Sequence, residues 1–456
     1  MDTCETAMRK PNVVILVIDT LREDYSSGLE ALRELGFIKY ENAIAPAPWT
    51  VPSHASLITG MYPSQHEIHE SRGVRTNDEL ADIARVRMRQ LNYGIIGELE
   101  NDGYETRVIT ANGYITPLFG FNAKDTIMVS FLNPCFRLIY QERPNELSKL
   151  LRKKYGGNKV RMFLDLMNEG HIRDAVDGLV YHMLMQFCNV YRNLIELGHK
   201  LTIYDLTMEK GSSQVIKILK NAKFSQPFFL LINIMEAHSP YLHNDLNYKL
   251  HNEAITKWVI NNGTDDSVIE ELRKSYPRHA AYAVKRAVEI VRALKPYLDD
   301  SLVIVTSDHG ELLGDGGLGH GYFLRDGLLR VPLWVKWPSW VKPPKQVGSF
   351  VSLTQIPSII RAVIDNEEPR VGSSAAVSES FGIAPYHLVD VSKLSYEKAL
   401  KLLTHRVRIY TRHGAATYNV NLEEFEEVDG DEDELMKMTR SLINYLDSSE
   451  VTSIEV

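Results

Sequence analysis

Three short runs of nearly unbroken apolar residues constrain this chain most: Val13-Val14-Ile15-Leu16-Val17-Ile18, Phe228-Phe229-Leu230-Leu231-Ile232-Asn233-Ile234 and Leu302-Val303-Ile304-Val305. Each has the length of a strand and does not alternate with polar residues. That is the pattern of strands covered on both faces, as central strands of a parallel sheet are. Each run also ends in chemistry. The first stops at Asp19, the second leads into Glu236-Ala237-His238-Ser239-Pro240-Tyr241, and the third into Ser307-Asp308-His309-Gly310. Ligands of open parallel sheets bind outside the carboxyl ends of the strands. The three runs together therefore predict an α/β fold with carboxylates and imidazoles converging on one edge.

Between the first two runs lies Trp49-Thr50-Val51-Pro52-Ser53-His54, followed by Leu57, Ile58 and Gly60. Thr50 reads as the N-cap of a short helix, with Pro52 in its first turn and Gly60 at its end. The hydroxyl would sit beside unpaired N–H groups at the positive end of that helix, where a phosphate or sulfate is readily held. A Thr-x-Pro segment also caps helices with no further role, so the weight of Thr50 comes from its partners. Asp19, Asp308, His309 and the Thr50 hydroxyl offer three oxygens and one nitrogen, a set suited to Mn²⁺, Zn²⁺ or Mg²⁺. Coordination would lower the pKa of the hydroxyl and turn it into a nucleophile.

Several ordered motifs resemble the alkaline phosphatase and sulfatase superfamily, and most of all its sulfatase branch. They are Val17-Ile18-Asp19-Thr20-Leu21-Arg22, the segment 50–60 followed by Tyr62-Pro63, Gly103-Tyr104-Glu105-Thr106, His238-Ser239-Pro240-Tyr241, Ser307-Asp308-His309-Gly310-Glu311, Gly319-His320-Gly321 and Leu329-Arg330-Val331-Pro332-Leu333. The resemblance runs to about residue 335. It implies a three-layer α/β/α sandwich around a large, mostly parallel sheet, with a small C-terminal α+β subdomain. Two departures stand out. Sulfatases acting on sulfate esters carry a Cys or Ser, oxidised to formylglycine, where this chain has Thr50, and an Arg where it has His54. Oxidising the secondary alcohol of threonine gives a ketone, so a formylglycine mechanism is not expected. The Lys and His of a Gly-Lys-Trp-His segment are replaced by Ala111-Asn112-Gly113-Tyr114.

What remains resembles the threonine-using phosphoryl-transfer members. Carried over by position, the resemblance makes Asp19, Thr50, Asp308 and His309 the metal ligands, and His238 and His320 the contacts of the transferred group or its leaving oxygen. One divalent ion (Mn, Zn, Mg or Ca) is favoured; a second is allowed, with Glu236, His238 and His320 as candidate ligands. Arg22 and His54 are expected to support the pocket, Arg22 by pairing with a metal-binding carboxylate. The expected activity is hydrolysis of a phosphate mono- or diester, or of a phosphonate ester, by metal-bound Thr50 through a phospho-threonine intermediate. The alternatives are a sulfuric ester hydrolase without formylglycine and a non-catalytic anion-binding member.

The chain has 456 residues, 44% apolar and 24% charged, enough for one large core and a smaller appended one. A catalytic domain is expected over 1–345, with a helical cap inserted at 133–222, and the small subdomain over 346–456. The insertion carries a basic run, Lys149, Arg152, Lys153, Lys154, Lys159 and Arg161, suited to an anionic substrate. In the C-terminal part a hairpin around Arg412-His413-Gly414 is expected, then an acidic loop and a final helix over 435–446. That part is expected to have no independent catalytic role. Nine acidic residues between 423 and 434 account for more than the whole net charge of −8, so no broad basic surface or motif suggests nucleic acid. Cys4, Cys135 and Cys188 follow no metal or disulfide spacing. Met1 to Lys10 is polar, no window is apolar enough to span a membrane, and the cytoplasm is the expected compartment. The expected partner is a small anionic ester, and nothing in the sequence sets an oligomeric state.

Overall fold

The computed structural model describes residues 9–71, 76–129, 159–168, 208–239, 248–261 and 263–447 except 386 and 388, with isolated positions between 170 and 183 and at 241. The strands in chain order are β1 (Asn12–Ile18), β2 (Ile38–Ile44), β3 (Glu105–Thr110), β4 (Asp125–Met128), β5 (Phe228–Ile234), β6 (Ser301–Thr306), β7 (Leu312–Leu313), β8 (Leu318–Gly319), β9 (Arg330–Lys336), β10 (Val351–Ser352), β11 (Ala375–Ser380), β12 (Arg406–Thr411), β13 (Gly414–Asn419) and β14 (Glu424–Gly430). Eight of them form one sheet in the order β10-β2-β9-β6-β1-β5-β3-β4. Only β9 runs against its neighbours β2 and β6; every other pair is parallel.

The three apolar runs lie side by side at the centre. Parallel to β1, Ile18 is in register with Ile234 of β5 and Val17 with Thr306 of β6, so the chemistry that follows each strand emerges at one edge. All seven residues of β1 are buried because helices cover both faces. Val13, Ile15 and Val17 pack with Val51, Ala55, Leu57 and Ile58 of helix α1 (Thr50–Thr59) and with Ile359, Ile360 and Val363. Val14, Leu16 and Ile18 face the other way, onto Tyr276, Ala280, Ala283, Val284 and Ala287 of the long helix Asp266–Ala293. Each Val, Leu or Ile among them taken fully from water contributes about 1.5–3 kcal/mol. Two helical layers around a mostly parallel sheet are the three-layer α/β/α architecture.

A second, four-stranded antiparallel sheet, β11-β12-β13-β14, follows in the chain. It contains the expected hairpin, Thr411 pairing with Gly414. The residues past 345 do not all go to it: β10 extends the large sheet beside β2, and helix Ile356–Ile364 packs with α1. The acidic segment is not the expected loop. Glu424–Gly430 is the edge strand of the small sheet, and the final helix starts earlier, at Glu432. Phe425 packs edge-on against Tyr418, and Glu427 pairs with Arg408 at 3.2 Å, so partly covered carboxylates find cations within the fold. Of the expected insertion, helices Lys159–Asn168 and Ser212–Asn221 are described. Residues 133–158, with Lys149, Arg152, Lys153 and Lys154, and most of 171–207 lie outside the described residues. No helix among the described residues is long and apolar enough to cross a membrane.

Candidate active site

The site lies where β1, β3, β5 and β6 end. Beyond β1 the backbone continues with Asp19 N–H bonded to Ile234 O at 2.9 Å. It then turns at Thr20, a left-handed residue with φ 61. For a β-branched residue that conformation costs energy and needs support. Asp308 Oδ1 accepts from Thr20 N at 3.3 Å, the Thr20 hydroxyl donates to Asp19 O at 2.7 Å, and Tyr276 OH donates to Thr20 O at 2.7 Å. The turns after β1 and β6 thus hold each other, and Ser307 Oγ accepts Leu21 N–H at 2.9 Å.

Asp19, Asp308 and His309 are fully buried and bring one ligand atom each to within 4.8 Å of one another. His309 turns Nδ1 to Gly310 O at 2.8 Å, which leaves Nε2 facing the carboxylates. Nε2 lies 3.4 Å from Asp308 Oδ2 and 3.9 Å from Asp19 Oδ1. Neither Asp19 Oδ1 nor Asp308 Oδ2 has a hydrogen-bond donor. The other oxygen of Asp19 is well served: Asn112 donates to Oδ2 at 2.8 Å and Asn233 at 3.3 Å. Burial, then the charge of Asp308, pushes Asp19 above the usual carboxylate range. Burial also acts upward on Asp308, but His309, His54 and the Thr20 N–H outweigh it and hold Asp308 down. Two buried carboxylates, each with one oxygen unserved and both beside Nε2 of His309, match the donor set of a divalent cation.

Thr50 is brought to this cluster. Its hydroxyl stands 3.3 Å from His309 Nε2, and the residue is 3% exposed. It is not the N-cap expected from the sequence: Trp49, extended at φ −164, occupies that position without a side-chain cap, and Thr50 is the first helical residue. Gly60 ends α1 in the left-handed conformation at φ 77, as read from the sequence. The Ser53 hydroxyl donates to Asp308 O at 2.6 Å and fixes the helix to the turn after β6. His54 is buried one turn on, with Nδ1 3.0 Å from Thr50 O and 3.4 Å from Asp308 Oδ2.

His238 and His320 also arrive here. Their rings are 5.1 Å apart, and that of His320 is 4.7 Å from His309. Glu311 Oε2 accepts from His320 Nδ1 at 2.9 Å and from Tyr241 OH at 3.1 Å. Burial, then His309, His238 and His387, holds His320 well below the usual imidazole range. His238 sets Nδ1 2.6 Å from Ser239 O. Glu236 is buried but points elsewhere: Oε1 accepts N–H groups of Lys210 at 3.0 Å and Ser212 at 2.9 Å. Among the described residues it does not join Asp19, Asp308 and His309 as a ligand group.

Arg22 departs from expectation. It pairs with Asp24 at 2.8 Å and Asp315 at 2.6 Å, not with Asp19 or Asp308. Its side chain runs out past Gly310 rather than into the cluster. Gly310 is there because nothing larger fits, since a Cβ would stand 2.1 Å from Gly327 O and 2.8 Å from Arg22 Cγ. Gly310→Ala is therefore expected to cost about 1–3 kcal/mol and to displace His309. Thermal unfolding should show a Tm lower by several degrees, and an unchanged Tm would refute the packing argument.

Four residues here were given no role from the sequence: Asn112, Asn233, Glu311 and Lys210. Asn233 had a signal, a lone amide at the end of an apolar strand. Lys210 had none. It is buried near Glu236, donating to His238 O with its ammonium over the Tyr241 ring. Burial brings it down to about 7 against the pull of Glu236, Asp19 and Glu311.

Comparison with known proteins bears on the family and the fold. An arylsulfatase of Clostridium perfringens is 22% identical over 400 residues, 78% of this chain and 74% of that protein. Among solved structures, a 2-O GAG sulfatase superposes with a TM-score of 0.55 at 13% identity, over 96% of this chain and 91% of that one. A phosphonate monoester hydrolase from Silicibacter pomeroyi does so with 0.52 at 14% identity, over 96% and 95%. At these identities the structural likeness concerns the fold. The Sulfatase family profile matches residues 11–363, and the chain belongs to the sulfatase family of the alkaline phosphatase/sulfatase superfamily.

Proposed function

We propose that this sulfatase-family hydrolase cleaves a phosphate mono- or diester, or a phosphonate ester, by attack of Thr50 Oγ1 on phosphorus. The observation that carries the reading is the Thr50 hydroxyl at the start of α1, 3.3 Å from His309 Nε2, beside the unserved oxygens of Asp19 and Asp308. Asp19, Asp308 and His309 would hold a divalent cation, which when bound supplies positive charge for the hydroxyl and for the non-bridging oxygens.

In the first step the Thr50 Oγ1–P bond forms and the bond from phosphorus to the leaving oxygen breaks. His238 and His320, whose rings stand 5.1 Å apart beside His309, are assigned to take the threonine proton and pass it to the leaving oxygen. In the second step water attacks phosphorus, the P–Oγ1 bond breaks and the phosphate or phosphonate leaves; the water proton passes through this pair of imidazoles to Thr50 Oγ1.

The second reading, sulfuric ester hydrolysis without formylglycine, is favoured by the family match itself. Parallel assays of phosphomonoester, phosphodiester, phosphonate and sulfate ester chromogens with Mn²⁺, Zn²⁺ and Mg²⁺ separate the two. Turnover of one or more phosphorus esters is expected to dominate. Turnover of the sulfate ester alone would overturn the phosphoryl-transfer reading.

A further inference from the structure

The approach to Thr50 is built largely from the other end of the chain. β11, the first strand of the small sheet, runs along residues 45–49. The Ser378 hydroxyl donates to Ala45 O, Glu379 N–H to Pro46 O at 2.9 Å and, from the loop after β8, Gly321 N–H to Pro48 O at 3.1 Å. The last residue before the nucleophile, Trp49, is fully buried, and its indole N–H donates to Glu70 Oε2 at 2.6 Å. The other oxygen of Glu70 accepts from Phe381 N–H at 3.0 Å and from Ser380 Oγ at 3.1 Å.

Glu70 is 1% exposed. An ionised carboxylate in such a place is expensive unless donors surround it, and here three do. The donors come from two distant parts of the chain, residue 49 and residues 380–381, and Glu70 joins them. On the same side, the Phe381 ring is stacked between His69 at 3.6 Å and His405 at 4.1 Å, which keeps the end of β11 in place.

We propose that Glu70 is a positioning residue for the nucleophile: by tying the Trp49 indole to the end of β11 it fixes where α1 begins, and so where the Thr50 hydroxyl points. The inference rests on Thr50 being the nucleophile. It also makes the small C-terminal sheet part of the catalytic unit rather than an appendage. Displacing a reacting atom by about 1 Å can cost about a hundredfold in rate with little effect on binding.

The test is a mutant cycle on the chromogenic ester that the wild type turns over fastest. Glu70→Gln keeps the shape but loses the charge, and its amide cannot accept from both the indole and Phe381. kcat is expected to fall about ten- to a hundredfold with KM within about twofold and metal content unchanged. Trp49→Phe, which removes the indole donor, should show the same kcat-only loss and carries the test should Glu70→Gln not fold. If the two residues act as one pair, Trp49→Phe made in the Glu70→Gln background costs much less than on its own. A lower Tm with wild-type kcat, or losses in kcat that simply multiply, would overturn the positioning role. Thr50→Ala separates this from the larger reading. Were that variant inactive and Glu70→Gln fully active, only the inference about Glu70 would fail; were Thr50→Ala fully active, both would.

Discussion

Thr50→Ala is expected to abolish turnover, lowering kcat on the order of 10³-fold or more, while leaving the protein folded and its metal affinity within about an order of magnitude. The contrast follows from what the hydroxyl touches. Thr50 Oγ1 lies 3.3 Å from His309 Nε2, whereas Asp19, Asp308 and His309 are held by bonds that do not involve it. Removing a hydroxyl and a methyl from a buried position should cost about 1 kcal/mol. Thr50→Ser keeps a nucleophilic oxygen and should keep part of the activity. The measurement is kcat together with mass spectrometry of acid-quenched enzyme. A phosphoryl adduct should map to residue 50 in wild type and be absent from Thr50→Ala. An adduct elsewhere, or unimpaired turnover by the alanine variant, would remove Thr50 from its role.

The ordering of Asp19, Asp308 and His309 around Thr50 was legible because a buried parallel strand writes itself plainly. β1 and β5 are seven residues each and wholly buried, so their apolar runs are continuous and the polar residue that ends each is conspicuous. The edge strand β14 obeys the opposite rule. Its residues are half-exposed or exposed, it needs few apolar side chains, and an acidic string with only Phe425 and Val428 in it reads as a loop. Thr50 was misplaced by one position because the sequence cannot show that Trp49 is pinned extended by a side chain 21 residues away. The partner of Arg22 was misjudged for a like reason: Asp315 sits 293 residues further along, and which of several nearby carboxylates an arginine meets depends on how β6 and its loop are laid against β1. Asn112 stands at the site because β3 ends beside β5. That the 111–114 segment departs from the sulfatase pattern could be seen in advance, but not the bond of Asn112 to Asp19.

Asp19→Asn is expected to move stability in opposite directions with and without metal. In the metal-free protein Asp19 is pushed toward protonation by burial and by Asp308, which is a cost of folding at neutral pH. The asparagine oxygen can still accept from Asn112 and Asn233, which now reach Oδ2 at 2.8 and 3.3 Å, and the repulsion with Asp308 is gone. The metal-free Tm should therefore equal or exceed that of wild type. Saturating Mn²⁺ or Zn²⁺ at about 100–1,000 times Kd should stabilise the wild type by about 3–4 kcal/mol. In Asp19→Asn that rise should disappear, and elemental analysis should show the metal lost. Asp308→Asn should lose the metal as well but start from a lower metal-free Tm. Its carboxylate accepts from Thr20 N at 3.3 Å and His309 N at 3.0 Å and is held down by His309 and His54 despite burial, so its charge already stabilises the fold. Equal metal-induced shifts in wild type and Asp19→Asn would exclude Asp19 as a ligand. A fall in the metal-free Tm of Asp19→Asn would mean instead that this carboxylate is kept for the fold. The predicted pair of signs is the one a binding site produces, because a group retained for a ligand is at its least comfortable when the ligand is absent.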